Sequence, residues 1–398
     1  MGDQTSTLSE PAWLTARRER AVERMPHLPM PQFRGVEGWE FSEIKGFDIE
    51  DTLHLEQIDD VWTAPGAPDS EGPVVIPLSV AAERYPDIVQ AHLGTVVTAE
   101  TPWTARNDAH WSGGAFVYVP KGVAVEAPIM LTAIHEQPGT ALHWRALVVL
   151  EEGAEAEVWQ QALSPADDSD GVFNSVLELV VGANAKLRFV DGQDLGEKRW
   201  VFGQQRSVVQ RDGALDWITL GFGSGRGKVF LETNLAGAGA HTAVTGAYAT
   251  RGRQHIDFDT LQEHAAPNTT SDLAFRGILA DRSSAVWRGN IKVDPGAQQT
   301  DAFQESRNLL ISKRAHADAI PGLEILANDV RCTHAAAIAQ IDKEQIFYLR
   351  SHGLPENVAR RLVIEGFLHA LVERFEAGSV QRVVTRALEA RLERVLGL

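Results

Sequence analysis

The chain is poor in several residue types that whole classes of function require. Among 398 residues there is a single cysteine, Cys332. That excludes a disulfide framework, and it excludes a zinc site needing four cysteines, or two cysteines with two histidines, from this chain alone. It fits a reducing compartment. Positive charge is also short: 37 lysines and arginines stand against 54 aspartates and glutamates, a net charge of −17. Non-specific nucleic-acid binding needs a basic footprint and is not expected, and a polybasic membrane anchor is excluded on the same ground. No run reaches 18 apolar residues, so no membrane span is expected. Met1 to Glu10 has neither a basic start nor an apolar stretch, so no secretory leader is expected. A cytoplasmic protein whose partners are other proteins fits these absences.

Catalytic signatures are missing as well. There is no Gly-x-Ser-x-Gly elbow and no HExxH pair. The stretch Gly221 to Lys228 is glycine-rich, but a phosphate loop would need glycine at Phe222 and a hydroxyl residue at Val229. It reads as a turn between strands. Asn-Gly and Asp-Gly pairs, the usual hairpin punctuation, are rare.

What is present is ordinary globular material, 44% hydrophobic and 23% charged, in a length suited to two or three domains. Three textures follow one another. Residues 1–94 read as helix and loop: a helix over Trp13 to Met25 ended by Pro26, a loop over 63–73, and a helix over Val80 to Leu93 capped by Ser79 and closed by Gly94. Residues 95–341 show period-2 pieces, among them Phe116–Val119, Leu147–Leu150, Glu155–Trp159, Ser175–Val181, Lys186–Val190, Ser207–Gln210, Leu215–Leu220, Val229–Asn234, Thr242–Ala249 and Asn290–Val293. Gly-Ala corners at 153, 182, 213, 237, 246 and 296 separate them, the first three at intervals of 29 and 31 residues. Short strands at a loose repeat without hairpin signals suggest a solenoid, with a β-sandwich as the alternative. Residues 342–398 read as three helices: Asp342 caps one that stops at Gly353, Pro355 opens the next to Phe375, and Gly378-Ser379 starts the last. On the last helix Val380, Val384, Leu388, Leu392 and Val395 form one stripe. Arg382, Arg386, Arg391 and Arg394 read as a solvated face.

Two clusters can carry metal chemistry. His255, Asp257 and Asp259 share one face of a strand, where they could bind a metal or form a polar ladder. Cys332 and His334 share a face if residues 330–334 are extended. A thiolate with an imidazole suits iron, zinc or copper(I). Two ligands cannot close a four-ligand site, so a site here needs groups from another chain. The competing reading is a buried cysteine acting as a small hydrophobe beside a satisfied histidine.

The run around this pair carries a resemblance. Gln254-His-Ile-Asp257, Arg276-Gly-Ile-Leu, Gln298-Gln-Thr-Asp301-Ala-Phe-Gln304, Asn308-Leu-Leu-Ile-Ser312, Pro321-Gly-Leu-Glu-Ile325, Asn328-Asp-Val-Arg-Cys332-Thr-His334, Gln340-Ile-Asp342 and Phe347-Tyr-Leu-Arg350-Ser-His-Gly353 are similar to the SufB/SufD family, on its SufD side. These are subunits of the SufBCD iron–sulfur cluster assembly scaffold. Trp111-x-Gly-Gly-Ala-Phe-Val-Tyr-Val-Pro-Lys-Gly122 is also family-like. The resemblance covers most of the chain from about residue 75. Ala335 stands where the family usually has glycine, Arg276 for lysine, Trp287 for phenylalanine and Ser306 for asparagine.

The resemblance implies a mainly β fold, a right-handed parallel β-helix over 95–341 flanked by N-terminal and C-terminal helical regions. It implies no catalytic activity. SufB is expected to pair with the C-terminal end of the β-helix, and the ATPase SufC to dock on the C-terminal helices. Asp342, Phe347, Tyr348, Leu349, Arg350, Gly353 and Phe367 are the expected contacts there. His334, and Cys332 beside it, would contribute to a transient nascent cluster shared with SufB, with none held tightly by the single chain. A homodimer in the absence of SufB and an independent metal-dependent β-helix enzyme using His255, Asp257 and Asp259 are the rival expectations.

Overall fold

A computed structural model describes residues 10–31, 36, 38–44, 54–55, 72–165, 169–375 and 378–397. The loop expected over 63–73 falls outside these except for its last two residues. The period-2 segment forms two parallel sheets, and the chain alternates between them. Strands of one sheet follow the sequence order in steps of two, from Gly113–Val119 out to His316–Ile325. The other runs from Ile129–Ile134 out to Val330–Gln340. One strand from each sheet makes one coil, in a solenoid of about eight turns. A sandwich of hairpins is excluded, because every pairing between successive coils is parallel. Among the described residues, the one antiparallel pair joins Val74–Pro77 to the first coil.

In-register stacking explains why the period-2 pattern is stable. Inward residues at one position pile into a column: Val158, Phe189, Trp217, Val244 and Leu273 occupy successive rungs, all without solvent exposure. Phe189 and Trp217 meet edge to face at 6.0 Å. Each such side chain contributes roughly 1.5–3 kcal/mol by leaving water. Outward rungs pair opposite charges instead. Lys186 meets Glu155 at 2.7 Å, Arg188 meets Asp216 at 2.8 Å and Arg206 meets Glu232 at 2.8 Å.

One corner needs a left-handed backbone on successive coils. Gly153, Asn184, Asp212, Gly239, Asn268 and Gln299 all have positive φ there, each one or two residues before a strand. Glycine, asparagine and aspartate tolerate that region best, which is why the corners are visible in the sequence. Gly246 is different. It lies in the middle of the strand His241–Thr250, not at a corner. A Cβ there would sit 2.2 Å from the Phe275 ring, so this glycine makes room for an aromatic on the next coil.

The strands are longer than the sequence pieces suggest, and several lie outside those pieces, including Ile129–Ile134, Thr270–Leu279, Thr300–Leu310 and His316–Ile325. Buried strands in parallel sheets carry apolar residues on both faces, which blurs a period of 2.

The N-terminal region holds helices α1 (Ala12–Arg24), α2 (Leu78–Arg84), α3 (Pro86–His92) and α4 (Pro102–His110). The single helix expected over Val80 to Leu93 is thus two. Pro86 cannot donate to the preceding turn and opens α3, while Ser79 lies inside α2 and caps nothing. The solenoid begins at Gly113, after α4, rather than at Thr95. Glu178, fully buried, accepts from the backbone N–H groups of Gly94, Val96 and Val97 and pairs with Arg145 at 2.6 Å, which fixes this region to the coils.

At the other end, helices α5 (Lys343–Ser351), α6 (Glu356–Val372) and α7 (Ser379–Leu396) match the expected three. The apolar stripe of α7, with Ile364, Leu368 and Leu371 of α6, packs on Ile218, Leu220, Ala247 and Ile278 on the outer face of the second sheet. The four arginines of α7 are not all solvated. Arg391 is 2% exposed, donating from Nε to the Ala249 carbonyl at 2.9 Å and from Nη2 to Gln254 Oε1 at 2.9 Å. Arg394 pairs with Asp194 at 2.6 Å.

Candidate functional site

The solenoid ends open. The strands His316–Ile325 and Val330–Gln340 are each last in their sheet, and each leaves one backbone edge without a strand partner among the described residues. Such an edge is a template for another chain. Leu323, Ile325, Leu326 and Ile338 are exposed at this end. They occupy positions that further in would be covered by the next coil.

Cys332 and His334 lie on the last strand, opposite Ala302 and Gln304 on the rung beneath. Residues 330–334 are extended, so the two side chains share the inward face. Cys332 is half-buried against a small apolar cluster with Ile291, Val293, Ala302 and Ala327. Burial, with the Asp301 charge nearby, pushes its thiol pKa up. The thiol is therefore not activated by its own chain. His334 is exposed. The structure thus brings the pair together at an unfinished surface and, among the described residues, supplies no third metal-binding side chain. Among the described residues no group of three or more His, Cys, Asp or Glu side chains is gathered to hold a metal ion.

The other cluster is closed by its own chain. Lys228 Nζ stands on the rung opposite Asp257, 2.9 Å from one carboxylate oxygen, and lies 3.6 Å from Asp259. Ser42 Oγ donates to Asp257 and lies 3.1 Å from His255 Nε2, while His255 Nδ1 meets Ser284 Oγ at 2.8 Å. Burial pushes Asp259 up to about 6 and His255 down. An ammonium thus sits among the carboxylates that a cation would use, which is the polar-ladder arrangement. Sequence reasoning misses Lys228 because it closes a glycine-rich stretch. A signal is available all the same, since Lys228 and Asp257 are one 29-residue coil apart.

The expected partner-contact residues divide. Asp342 caps α5 by accepting from the Glu344 N–H at 2.8 Å, and Gly353 ends the turn with φ of 89°. Phe347 is 74% exposed and Tyr348 62% exposed, an unusual state for adjacent aromatics. Arg350 pairs with Glu356 at 3.1 Å and Leu349 is half-buried. Phe367 packs inward against the solenoid, with the Arg276 guanidinium 5.8 Å from its ring centroid. No helix among the described residues is long and apolar enough to cross a membrane.

Comparison with known proteins agrees with this architecture. Residues 132–367 match the family model described as SUF system FeS cluster assembly, SufBD core domain, and residues 49–131 match the SufBD protein N-terminal region. The chain is 30% identical to the iron–sulfur cluster assembly protein SufD of Bacillus subtilis, over 96% of this chain and 95% of that one. It is 25% identical to SufB of the same organism, over 90% and 85%. A SufBD family protein of Staphylococcus saprophyticus is 24% identical over the same shares. The chain belongs to the SufBD family of iron–sulfur cluster assembly proteins and is SufD-like.

Proposed function

We propose that the chain is a non-catalytic, cytoplasmic scaffold subunit that completes its cluster site only with a SufB-type partner. The observation that carries this is the open end of the solenoid. A soft thiol and an imidazole sit on an unpaired edge strand, ringed by exposed apolar side chains. Two ligands and a free edge are what one half of a shared site presents. The nascent iron–sulfur cluster is cargo here, and the partner supplies the remaining ligands. The reading of Cys332 as a small hydrophobe survives beside this one, since its neighbours are apolar.

The C-terminal helices would take a SufC-type ATPase through α5, where Phe347 and Tyr348 are exposed. ATP-driven closure of two such subunits would pull on α5 and shift the shared interface. The test for docking is the Phe347→Ala, Tyr348→Ala double variant. Deleting residues 343–398 is a poorer test, because α6 and α7 cover apolar solenoid surface.

For the site itself, His334→Ala should lower cluster yield on the co-purified complex at least tenfold while the subunits still co-elute. Undiminished yield refutes the ligand role. The same open edge also favours a second copy of this chain when SufB is absent. Light scattering with and without the partner separates the two: a dimer that dissolves on adding the partner shows one shared surface.

A further inference from the structure

The outward rungs of the solenoid pair opposite charges, but one corner does the reverse. Arg253, Arg282 and Arg314 each stand two residues before a strand, and those strands begin with His255, Ser284 and His316 on consecutive rungs. The three arginines therefore occupy the same corner position on three successive coils, roughly 4.8 Å apart per coil. Hydrogen bonds between the turns show their stacking: the Arg282 N–H donates to the Gly252 carbonyl at 3.0 Å, and the Ser312 hydroxyl Oγ donates to the Asp281 carbonyl at 2.8 Å. All three arginines are exposed, as is Lys313 beside them, and none of these four forms an ion pair with a described residue. Asp281 is the one acid in these turns, and it accepts from the Gly252 N–H at 2.9 Å.

Like charges in register repel. Elsewhere on the same surface bases commonly face acids on the neighbouring coil, as in Lys292 with Glu263 at 2.8 Å and Arg206 with Glu232 at 2.8 Å. A chain of net charge −17 has acids to spare. At this corner only Asp281 and Glu197, the latter paired with Arg251 at 2.6 Å, stand near the stripe, and Arg253, Arg282, Lys313 and Arg314 keep no ion pair with a described residue.

The stripe runs toward α5. The last strand ends at Gln340, on the rung of Leu310, so α5 begins where the next corner would stand. Arg360 of α6 also reaches this corner, donating to the Ile311 carbonyl at 3.1 Å. The stripe thus runs into the helix that exposes Phe347 and Tyr348. We infer that Arg253, Arg282 and Arg314 extend the α5 docking surface onto the solenoid and receive an acidic face of the same protein partner. This rests on the reading of α5 as the ATPase-docking helix. The aromatics would supply the buried anchor and the arginines the steering and orientation.

The experiment measures association of the full chain with the purified ATPase subunit at 0.1 M and 0.5 M salt. At the lower salt the R253E/R282E/R314E triple variant should associate at least tenfold more slowly, with much of that difference gone at the higher, as the Debye length shrinks. Its thermal midpoint should match wild type, since the arginines make no ion pairs. Equal rates and equal salt dependence in wild type and the triple variant overturn the stripe. The Phe347→Ala, Tyr348→Ala variant separates this from failure of the docking reading. If that double variant binds weakly and the triple variant normally, α5 docks but the stripe does not. If both bind normally, both ideas fall. Retention of a 20-base-pair DNA duplex by wild type and not by the triple variant, with ATPase binding unchanged, would assign the stripe to nucleic acid and also overturn the proposal.

Discussion

Arg391→Ala tests how the C-terminal helices are held. The guanidinium is buried under α7 and makes two charge-assisted hydrogen bonds to the solenoid, to the Ala249 carbonyl and to Gln254 Oε1, both at 2.9 Å. Burial lowers its pKa to about 10, with Asp194 opposing that shift, so it stays charged at neutral pH. Hydrogen bonds to charged groups are worth about 1.5–3 kcal/mol each, and desolvation of the cation offsets part of the pair. A net loss of roughly 3 kcal/mol is expected, or about two decades in the opening equilibrium of α7. Native-state hydrogen exchange reads this directly, as faster exchange in α7 with the coils near Phe189 and Trp217 unchanged. Arg391→Met keeps the apolar stem and removes the buried charge. Gln254 Oε1 still accepts from the Arg251 N–H at 2.9 Å, so this variant should lose less than Ala. If α7 protection in Arg391→Ala stays within threefold of wild type, the side chain is not the clamp and the apolar stripe alone holds the helix.

Three further outcomes follow, two from buried groups and one from the open end. Asp191 lies inside the solenoid, accepting from Gln160 and Gln205, with burial raising its pKa. A raised carboxyl pKa means stability is lost as pH rises above the usual carboxylate range, because only the unfolded chain ionises freely. Asp191→Asn should therefore gain about 1 kcal/mol in urea unfolding at pH 7 and little at pH 4. The Gln205 amide can turn its unpartnered Oε1 to the new donor, and a loss at pH 7 contradicts this. His264, buried between Thr269 and Ser271, is held down to about 4 by desolvation. Its stabilising contribution is present above the unfolded histidine pKa and falls as pH drops from about 6.5 toward 4. His264→Gln should flatten that part of the pH–stability curve, and an unchanged slope refutes it. Ile338→Asp at the open end should weaken SufB-type pairing by about 2 kcal/mol, roughly thirtyfold in Kd by titration, with the thermal midpoint of the single chain unchanged. Unaltered Kd would place the interface elsewhere.

Much of the architecture is legible in local features. The left-handed corner admits few residue types, so Gly153 and the Asp212-Gly213 pair mark coils in the sequence itself. The three C-terminal helices are legible because caps and 3.6-residue stripes are local signals. The Cys332–His334 pair is legible because two residues apart on a strand means one face. The split at Pro86 is a local signal too, although the apolar residues on both sides of it read as one helix, since proline cannot continue a helix from the preceding turn.

By itself, the sequence determined the loose repeat, most of its glycine corners, the three C-terminal helices and the shortage of ligands in a one-cysteine chain. Only the tertiary structure decided what lies one coil away. Register put Lys228 on Asp257 and so filled the His255 face with an ammonium. Helix docking took Arg391 out of solvent. Stacking aligned Arg253, Arg282 and Arg314 into a stripe, and termination of the solenoid left Cys332 and His334 on an open edge. The physical reason is common to all four: a side chain's electrostatic and packing partners are set by elements distant in the chain, on the solenoid by the coil above or below, about 30 residues away, and no local pattern encodes that pairing.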